Sequence, residues 1–425
     1  MLTKKVMTLE LSRENQFSDG YLYRSLELPA QEYEIRDVLQ QLRQRSADIT
    51  PDQIEIYNSV YIPQLENKRF DSPTIDELNF FAKRLSAMNE NDMAIMQALC
   101  TRYLKDDDEL VSIKDLINMT YGLDSVSVLS NVTNDEQLAD FVIENDMQDD
   151  VSSVPPNARY LLDKAKIAKF QREMDGGEYS GNLYVCTDHF EMPKVYDGKT
   201  LPETPHEPWF AFKLQVCGTT HSDEPFADPV EWISLPMTEE AMKEVAQRHD
   251  ATSLKELVCY DFESSIAQIT RNDFRQMLDI EKLNALAFTM AEMSPDDQIT
   301  FKAALEAERK HGINLDDILN ISNSLYRYEM NTNCEGASDF FKQYLLTHMD
   351  TKFDDHWLDP LVYCRDGSRL LEKLGATITD YGIISSCGGS LYKLVSYDSD
   401  ETVTEDSAPD EDEDMGEDEG MVMSL

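Results

Sequence analysis

Positive charge is scarce in this chain: 38 lysines and arginines stand against 82 aspartates and glutamates, a formal net charge of −44 over 425 residues. That shortage argues against direct binding to nucleic acid and against adsorption to an anionic membrane, both of which need basic surface. Paired cysteines are lacking as well. The seven cysteines (Cys100, Cys186, Cys217, Cys259, Cys334, Cys364, Cys387) are odd in number and scattered, with no Cys-x-x-Cys spacing. Free buried thiols in a reducing compartment are expected, rather than disulfides or a zinc site. No run is long and apolar enough to span a membrane. Met1-Leu2-Thr3-Lys4-Lys5-Val6 leads into strand-like alternation without the apolar segment of a signal peptide, so the expected compartment is the cytoplasm.

Catalytic and cofactor signatures are missing too. Gly198-Lys199-Thr200 ends like a phosphate loop, but Pro193 stands where its upstream glycine is required. His348-Met349-Asp350 with Asp354, Asp355 and His356 holds metal-ligand types without a recognised spacing. The acidic runs do not match a calcium loop. Trp209, Trp232 and Trp357 read as core or interface anchors rather than cofactor platforms. The expectation is a protein that is not an enzyme and has no metal or cofactor.

What is present is apolar content: 41% hydrophobic and 9% aromatic residues, enough to offset chain entropy, so the charge has to sit on folded surfaces. Residues 398–425 read as a disordered acidic tail. Its 13 acids between Asp398 and Glu419 leave −31 on residues 1–397, and the tail does not account for the imbalance. Charge of one sign on a compact body repels itself. By the charge density of duplex DNA, −44 corresponds to roughly 75 Å of double helix. Such a surface attracts whatever attracts DNA; the plainer alternative is that it serves solubility alone.

The chain also repeats itself. Leu28-Pro29 opens an acidic helix after strand-like Tyr21–Leu28, and Leu235-Pro236 opens another after Glu231-Trp232-Ile233-Ser234, 207 residues on. Ile75-Asp76-Glu77-Leu78-Asn79 matches Ile280-Glu281-Lys282-Leu283-Asn284 at 205. Met88-Asn89-Glu90-Asn91-Asp92 matches Met293-Ser294-Pro295-Asp296-Asp297 at the same offset, and Asp115-Leu116-Ile117-Asn118 matches Asp317-Ile318-Leu319-Asn320 at 202. The expected fold class is α+β: an elongated, multi-domain chain of two tandem copies of a three-part unit. Copy 1 comprises a small α/β part at 1–66, a helical part at 67–150 and a small α/β part at 151–192. A Pro- and Gly-rich linker at 193–208 joins it to copy 2, with parts at 209–270, 271–350 and 351–397. Helix starts are expected at Ser72-Pro73 and Ser294-Pro295.

In the second copy, Trp232-Ile233-Ser234-Leu235-Pro236-Met237, Glu239-Glu240, Tyr260-Asp261-Phe262-Glu263, Leu283-Asn284-Ala285-Leu286-Ala287 and Tyr363-Cys364-Arg365-Asp366 follow in an order that resembles the ArdA antirestriction family. The first copy keeps Leu28-Pro29-Ala30 and Leu78-Asn79, with Tyr23 the candidate for the missing tryptophan. The resemblance implies a protein carried by mobile elements, shaped and charged like bent duplex DNA, that blocks type I restriction-modification enzymes by occupying their DNA-binding groove. It further implies a homodimer or, in a tandem chain, an internal pseudo-dimer.

The carboxylates expected to stand in for phosphates are Asp76, Glu77, Asp92, Asp115, Glu239, Glu240, Glu281, Asp296, Asp297, Asp316 and Asp317, together with the run Asp106-Asp107-Asp108-Glu109 and the series Glu136, Asp140 and Glu144. The series recurs every fourth residue on a helix over 134–147, about 6 Å apart along its axis, and no Lys or Arg occurs from Asp115 to Ala158. The Asp106–Glu109 run and Asp316-Asp317 fit equally well as acids favoured by a helix N-terminus. Two functions stay open: a DNA mimic that occludes a DNA-binding enzyme, and an acidic interaction protein or chaperone for another basic partner.

Overall fold

The computed structural model describes residues 4–14, 21–42, 53–105, 110–202, 208–218, 230–274, 278–348 and 360–386. The fold is α+β. Its N-terminal half begins with β1 (Met7–Glu14), β2 (Tyr21–Leu28), α1 (Glu32–Gln41) and β3 (Gln53–Ser59), an antiparallel sheet of order β2-β1-β3 with α1 and α2 packed on one face. A helical layer follows: α2 (Ile75–Ser86), α3 (Glu90–Tyr103) and α4 (Ile113–Met119). The half closes with β4 (Ser127–Ser130), α5 (Asp135–Glu144), α6 (Asp149–Ser152), α7 (Lys164–Asp175), β5 (Glu178–Ser180) and β6 (Leu183–Cys186), whose strands lie in the order β4-β6-β5.

The C-terminal half follows the same order of sheets. Strands β7 (Phe212–Gly218), β8 (Glu231–Leu235) and β9 (Leu257–Ser264), with α8 (Glu239–Arg248), form a sheet ordered β8-β7-β9. Helices α9 (Ile280–Glu292), α10 (Pro295–Glu308) and α11 (Leu315–Ser322) come next. Then β10 (Tyr328–Asn331), α12 (Ala337–His348), α13 (Pro360–Leu374), β11 (Ala376–Thr379) and β12 (Gly382–Ser386) form a sheet ordered β10-β12-β11. No described helix is long and apolar enough to cross a membrane.

The Leu-Pro and Leu-Asn motifs turn out to be one device. Asn79 of α2 donates through Nδ2 to the Ala30 carbonyl (2.9 Å) and accepts from the Ala30 N–H (2.7 Å), clamping the residue after Pro29. Asn284 of α9 does the same for Met237 after Pro236, at 3.0 and 2.7 Å. Both Leu-Pro bonds are cis. Each clamp ties strand exit to helix through a buried amide that satisfies two backbone groups at once.

The middle of the central helix of each half is buried on nearly every side, so its apolar residues form no single stripe. Met93, Ala94, Ile95, Met96, Ala98, Leu99 and Cys100 of α3 are buried, as are Ile299, Phe301, Ala303, Ala304 and Leu305 of α10. The main buried clusters of the two halves are separate, and each half has a smaller cluster around its last sheet. Burial pushes the Cys100 thiol up to about 12. The described cysteines are free, but only Cys100, Cys217 and Cys334 are buried, while Cys364 is exposed. Cys387 lies outside the described residues.

Several boundaries differ from expectation. Helix α2 starts after Thr74, whose hydroxyl accepts from the Glu77 N–H (3.2 Å), so Ser72-Pro73 is a turn, with Ser72 at φ 47°. Ser294-Pro295 does start a helix, but α10 matches α3, which Asn89 caps. Ser25, not Tyr23, takes the place of Trp232: Ser25 pairs with Glu10 as Trp232 pairs with Gln215, each four residues before the proline. The segment 193–208 is pinned where it is described. Tyr196 is buried, its N–H and carbonyl bonded to the Asn118 amide and its hydroxyl donating to Glu77 Oε1 (2.9 Å). Burial and that carboxylate push the phenol up to about 12.

The halves are joined by polar contacts and one aromatic pair. Lys302, 4% exposed on α10, donates to Asp37 Oδ1 (2.5 Å) and Gln40 Oε1 (2.8 Å) of α1. The Tyr381 hydroxyl donates to the same Asp37 oxygen (2.7 Å) and accepts from Gln268 (2.7 Å). Burial drives the Lys302 ammonium below its ordinary range and the Tyr381 phenol above its own. Tyr33 packs edge-on against Phe210, and its hydroxyl donates to Glu263 (3.0 Å). These contacts join α1 of the N-terminal half to α10 and the last sheet of the C-terminal half. The repeat offsets of 207 and 205 put Glu244 and Gln97 at the positions of Asp37 and Lys302, and Gln97 uses its amide on Tyr61 and Ser180 of its own half.

Replacing Lys302 with Met is expected to destabilise the fold by about 3 kcal/mol, because Asp37 is left buried without its cation. The Asp37→Asn/Lys302→Met double variant should recover most of that loss in a urea melt. Asn79→Ala and Asn284→Ala are each expected to cost about 2–3 kcal/mol by the same measurement, since two buried backbone groups lose their partners.

Candidate partner-binding surface

Twelve of the carboxylates singled out in the sequence occupy first turns of helices: Asp76, Glu77, Asp92, Asp115, Glu136, Glu239, Glu240, Glu281, Asp296, Asp297, Asp316 and Asp317. Unpaired N–H groups and the helix dipole favour negative charge there. Position alone therefore has a structural cause, and what separates the acids is what each one touches.

Four serve the helix starts themselves. Glu77, 9% exposed, accepts from the Thr74 N–H, the Thr74 hydroxyl and Tyr196, so it is a buried structural acid and not part of any surface. Asp297 and Asp317 complete capping boxes with Ser294 and Asn314, and Asp92 accepts from the Asn89 side chain (2.8 Å). Asp115 accepts from the Tyr103 hydroxyl (3.0 Å).

Another group is neutralised by lysine. Lys164 of α7 reaches Asp140 at 2.6 Å and Glu136 at 3.6 Å, and those carboxylates raise its pKa, the Asp140 hydrogen bond first. Arg172 pairs with Asp135, and Arg159 with Asp146. The stretch free of bases in sequence is thus supplied with cations by the antiparallel neighbour, and the α5 face is no bare row of charge. Glu281 is held by Lys255 (2.8 Å) and Asp316 by Lys282 (2.6 Å).

Asp76, Glu144, Glu239, Glu240 and Asp296 remain, all exposed and without a cation among the described residues. Sequence reasoning passed over Glu90, Asp149 and Asp150, exposed in the first turns of α3 and α6; the same helix-start signal that marks Asp76 and Asp296 would have found them. Asp106, Asp107, Asp108 and Glu109 lie outside the described residues, as do Asp350, Asp354, Asp355, His356 and Trp357. Trp209 lines a small cleft between the halves with Tyr33, Met290 and Lys302, whereas Trp232 is exposed on its sheet and anchors no core. Among the described residues no group of three His, Cys, Asp or Glu side chains is placed to hold a metal ion.

Several basic side chains are turned onto the body, although most described lysines and arginines are exposed. Lys4 lies over the Tyr61 ring and Lys213 over Phe210; Arg84 stacks on Tyr121 and donates to the Thr120 carbonyl; Arg248 grips Glu231 through two nitrogens. Bases used this way offset local repulsion and leave an outward field dominated by one sign. Chemically, that surface can attract and orient cationic groups. A comparison with protein-family models matches none of them to this chain, and a comparison with curated proteins finds no match.

Reversing Glu136, Asp140 and Glu144 together to Lys is expected to lower the melting temperature, since Lys164 would exchange two attractions for repulsions. Reversing Asp76, Glu144 and Asp296 should lower it less, because none of these has a cation to lose among the described residues and only Asp76 and Asp296 forfeit a favourable helix-dipole position. Thermal melts of the two triple variants against the parent check the distinction.

Proposed function

We propose that this chain is a non-enzymatic DNA decoy: a folded, strongly anionic body that enters the DNA-binding groove of a basic enzyme and excludes its substrate. The observation that carries this reading is an excess of carboxylates, many held on helix starts, over a minority of lysines and arginines, several of which pair with acids or rings of the chain itself. Fixed anions on rigid elements resemble the phosphates of a duplex more closely than charges on a mobile chain do. They attract the Lys and Arg of a groove by charge-assisted hydrogen bonds and steer the encounter at long range.

The target class proposed is a type I restriction-modification enzyme, in the cytoplasm, on the strength of the ordered motifs that resemble the ArdA family. Those motifs are scaffold. Asn284 clamps Met237, Phe262 packs on Phe212 and Phe274, and Glu263 takes the Tyr33 hydroxyl. They bear on the frame that presents the charge, and on descent of the two halves from one duplicated unit, while the charge supplies the activity.

A second reading, an acidic chaperone-like binder for another basic protein, is favoured by the 13 acids of residues 398–419. One assay separates the two. DNA cleavage by a type I restriction enzyme is measured with the full chain and with a truncation at Tyr397. The decoy reading expects both forms to inhibit within about threefold of each other at 0.1 M salt, and inhibition to weaken as salt screens exposed charge. Inhibition by the full chain alone, with the truncated fold intact, would move the activity to the tail.

A further inference from the structure

The first sheet of the N-terminal half has an outward face unlike the rest of the surface. Alternation along β1 sends Met7, Leu9 and Leu11 into the core and puts Thr8 and Glu10, half-buried, and Ser12, buried, on the opposite face. Their register partners are Tyr23, Ser25 and Glu27 of β2 and Gln53, Glu55 and Asn58 of β3, with Tyr57 exposed at the register shift beside Asn58. Glu10 stands directly between Ser25 and Glu55, and Ser12 between Tyr23 and Gln53. Not one of these positions is Lys or Arg.

Three features of this face each burden the free protein. Glu10 and Glu55 oppose each other on adjacent strands, and like charges so placed weaken a sheet. Among the described residues neither has a cation, nor does the Glu27 carboxylate. Tyr23 and Tyr57 are 52% and 66% exposed, beside Tyr21, whose ring lies 6.3 Å from that of Tyr23. The Ser12 hydroxyl, on a residue only 3% exposed, has no hydrogen-bond partner among the described residues. Buried orphan hydroxyls are uncommon because each forfeits the hydrogen bonds it had to water.

One ligand chemistry relieves all three. A guanidinium stacks on a tyrosine face, forks onto carboxylates with parallel N–H donors, and has donors left for a hydroxyl; an ammonium offers no plane to stack. We propose that this sheet face is a docking site for an arginine-bearing segment of a basic protein partner, with Tyr23 and Tyr57 stacking the guanidinium groups and Glu10 and Glu55 accepting from them. The equivalent face of the C-terminal half lacks the arrangement: Gln215 replaces Glu10, Lys213 lies on the sheet, and Glu263 is taken by Tyr33. The inference rests on the decoy reading for the partner's identity and adds to it a specific anchor that summed charge does not provide.

The test uses the full chain and two fluorescent 12-residue peptides of equal charge, one alternating Arg and Gly, the other Lys and Gly, titrated by polarisation at 0.3 M salt. The Arg peptide is expected to bind about tenfold more tightly than the Lys peptide, in line with stacking on two partly exposed rings. The preference should vanish in Tyr23→Ser/Tyr57→Ser, and both affinities should fall in Glu10→Gln/Glu55→Gln, whose melting temperature holds or rises as the like-charge pair is removed. Equal affinity for the two peptides in the parent overturns the proposal, as does an arginine preference that survives loss of both tyrosines; the single Tyr57→Ser variant, at the more exposed ring, gives the same reading should the double variant fold poorly. Because no DNA-binding enzyme takes part, failure here leaves the decoy reading to its own cleavage assay.

Discussion

Like-charge repulsion is the constraint on which the structure depends. A body carrying −31 outside its last 28 residues can stay compact only if its apolar cores outweigh that repulsion and its charges are placed where the backbone tolerates them. Both conditions are visible. Each half buries its own cluster around the buried middle of its central helix, and a share of the acids stands in first turns, where unpaired N–H groups and the helix dipole lower the cost of an anion. The few bases are applied where acids crowd most, as Lys164 is between Glu136 and Asp140.

The same constraint shapes the join between the halves. Two anionic units gain little from pressing bare surfaces together, and the contact that forms is built around a buried cation. Lys302 sits in the apolar belt of α10, at the position where α3 has Gln97, and meets Asp37, Gln40 and Tyr381. A buried ion pair with satisfied hydrogen bonds adds little net stability, but it specifies a partner surface, since a mismatched surface would strand the charge. At the corresponding positions Glu244 keeps a carboxylate, but Gln97 supplies no cation.

Much of the fold was legible in the sequence because repetition made it so. Motifs recurring at offsets of 207 and 205 located corresponding strands and helices, and the Leu-Pro and Leu-Asn pairs belong to one clamp. Short strands were harder: β4 and β10 have four residues each and no clear alternation, so their place in the last sheets depends on partners far along the chain. The surface was less legible than the core. Whether a carboxylate is bare is decided by neighbours distant in sequence, as Lys164 decides for Asp140 and Tyr196 for Glu77. A stretch without bases is therefore not a stretch without cations. The acidic tyrosine face escaped notice because its members come from three strands and become neighbours only through register.

The central claim is that exposed carboxylates compete with phosphates for one groove, and salt reads this most directly. Duplex binding loses affinity in proportion to the counterions released, and a protein without a condensed ion atmosphere releases fewer of them for the same contacts. The measurement is the affinity of the protein, and separately of a duplex about 30 base pairs long, for one type I enzyme across a series of salt concentrations, with each ligand also titrated against the other. The account predicts that affinity for the protein falls with salt, less steeply than for the duplex, and that each displaces the other completely. An affinity independent of salt, or a ternary complex holding protein and duplex together, would contradict it.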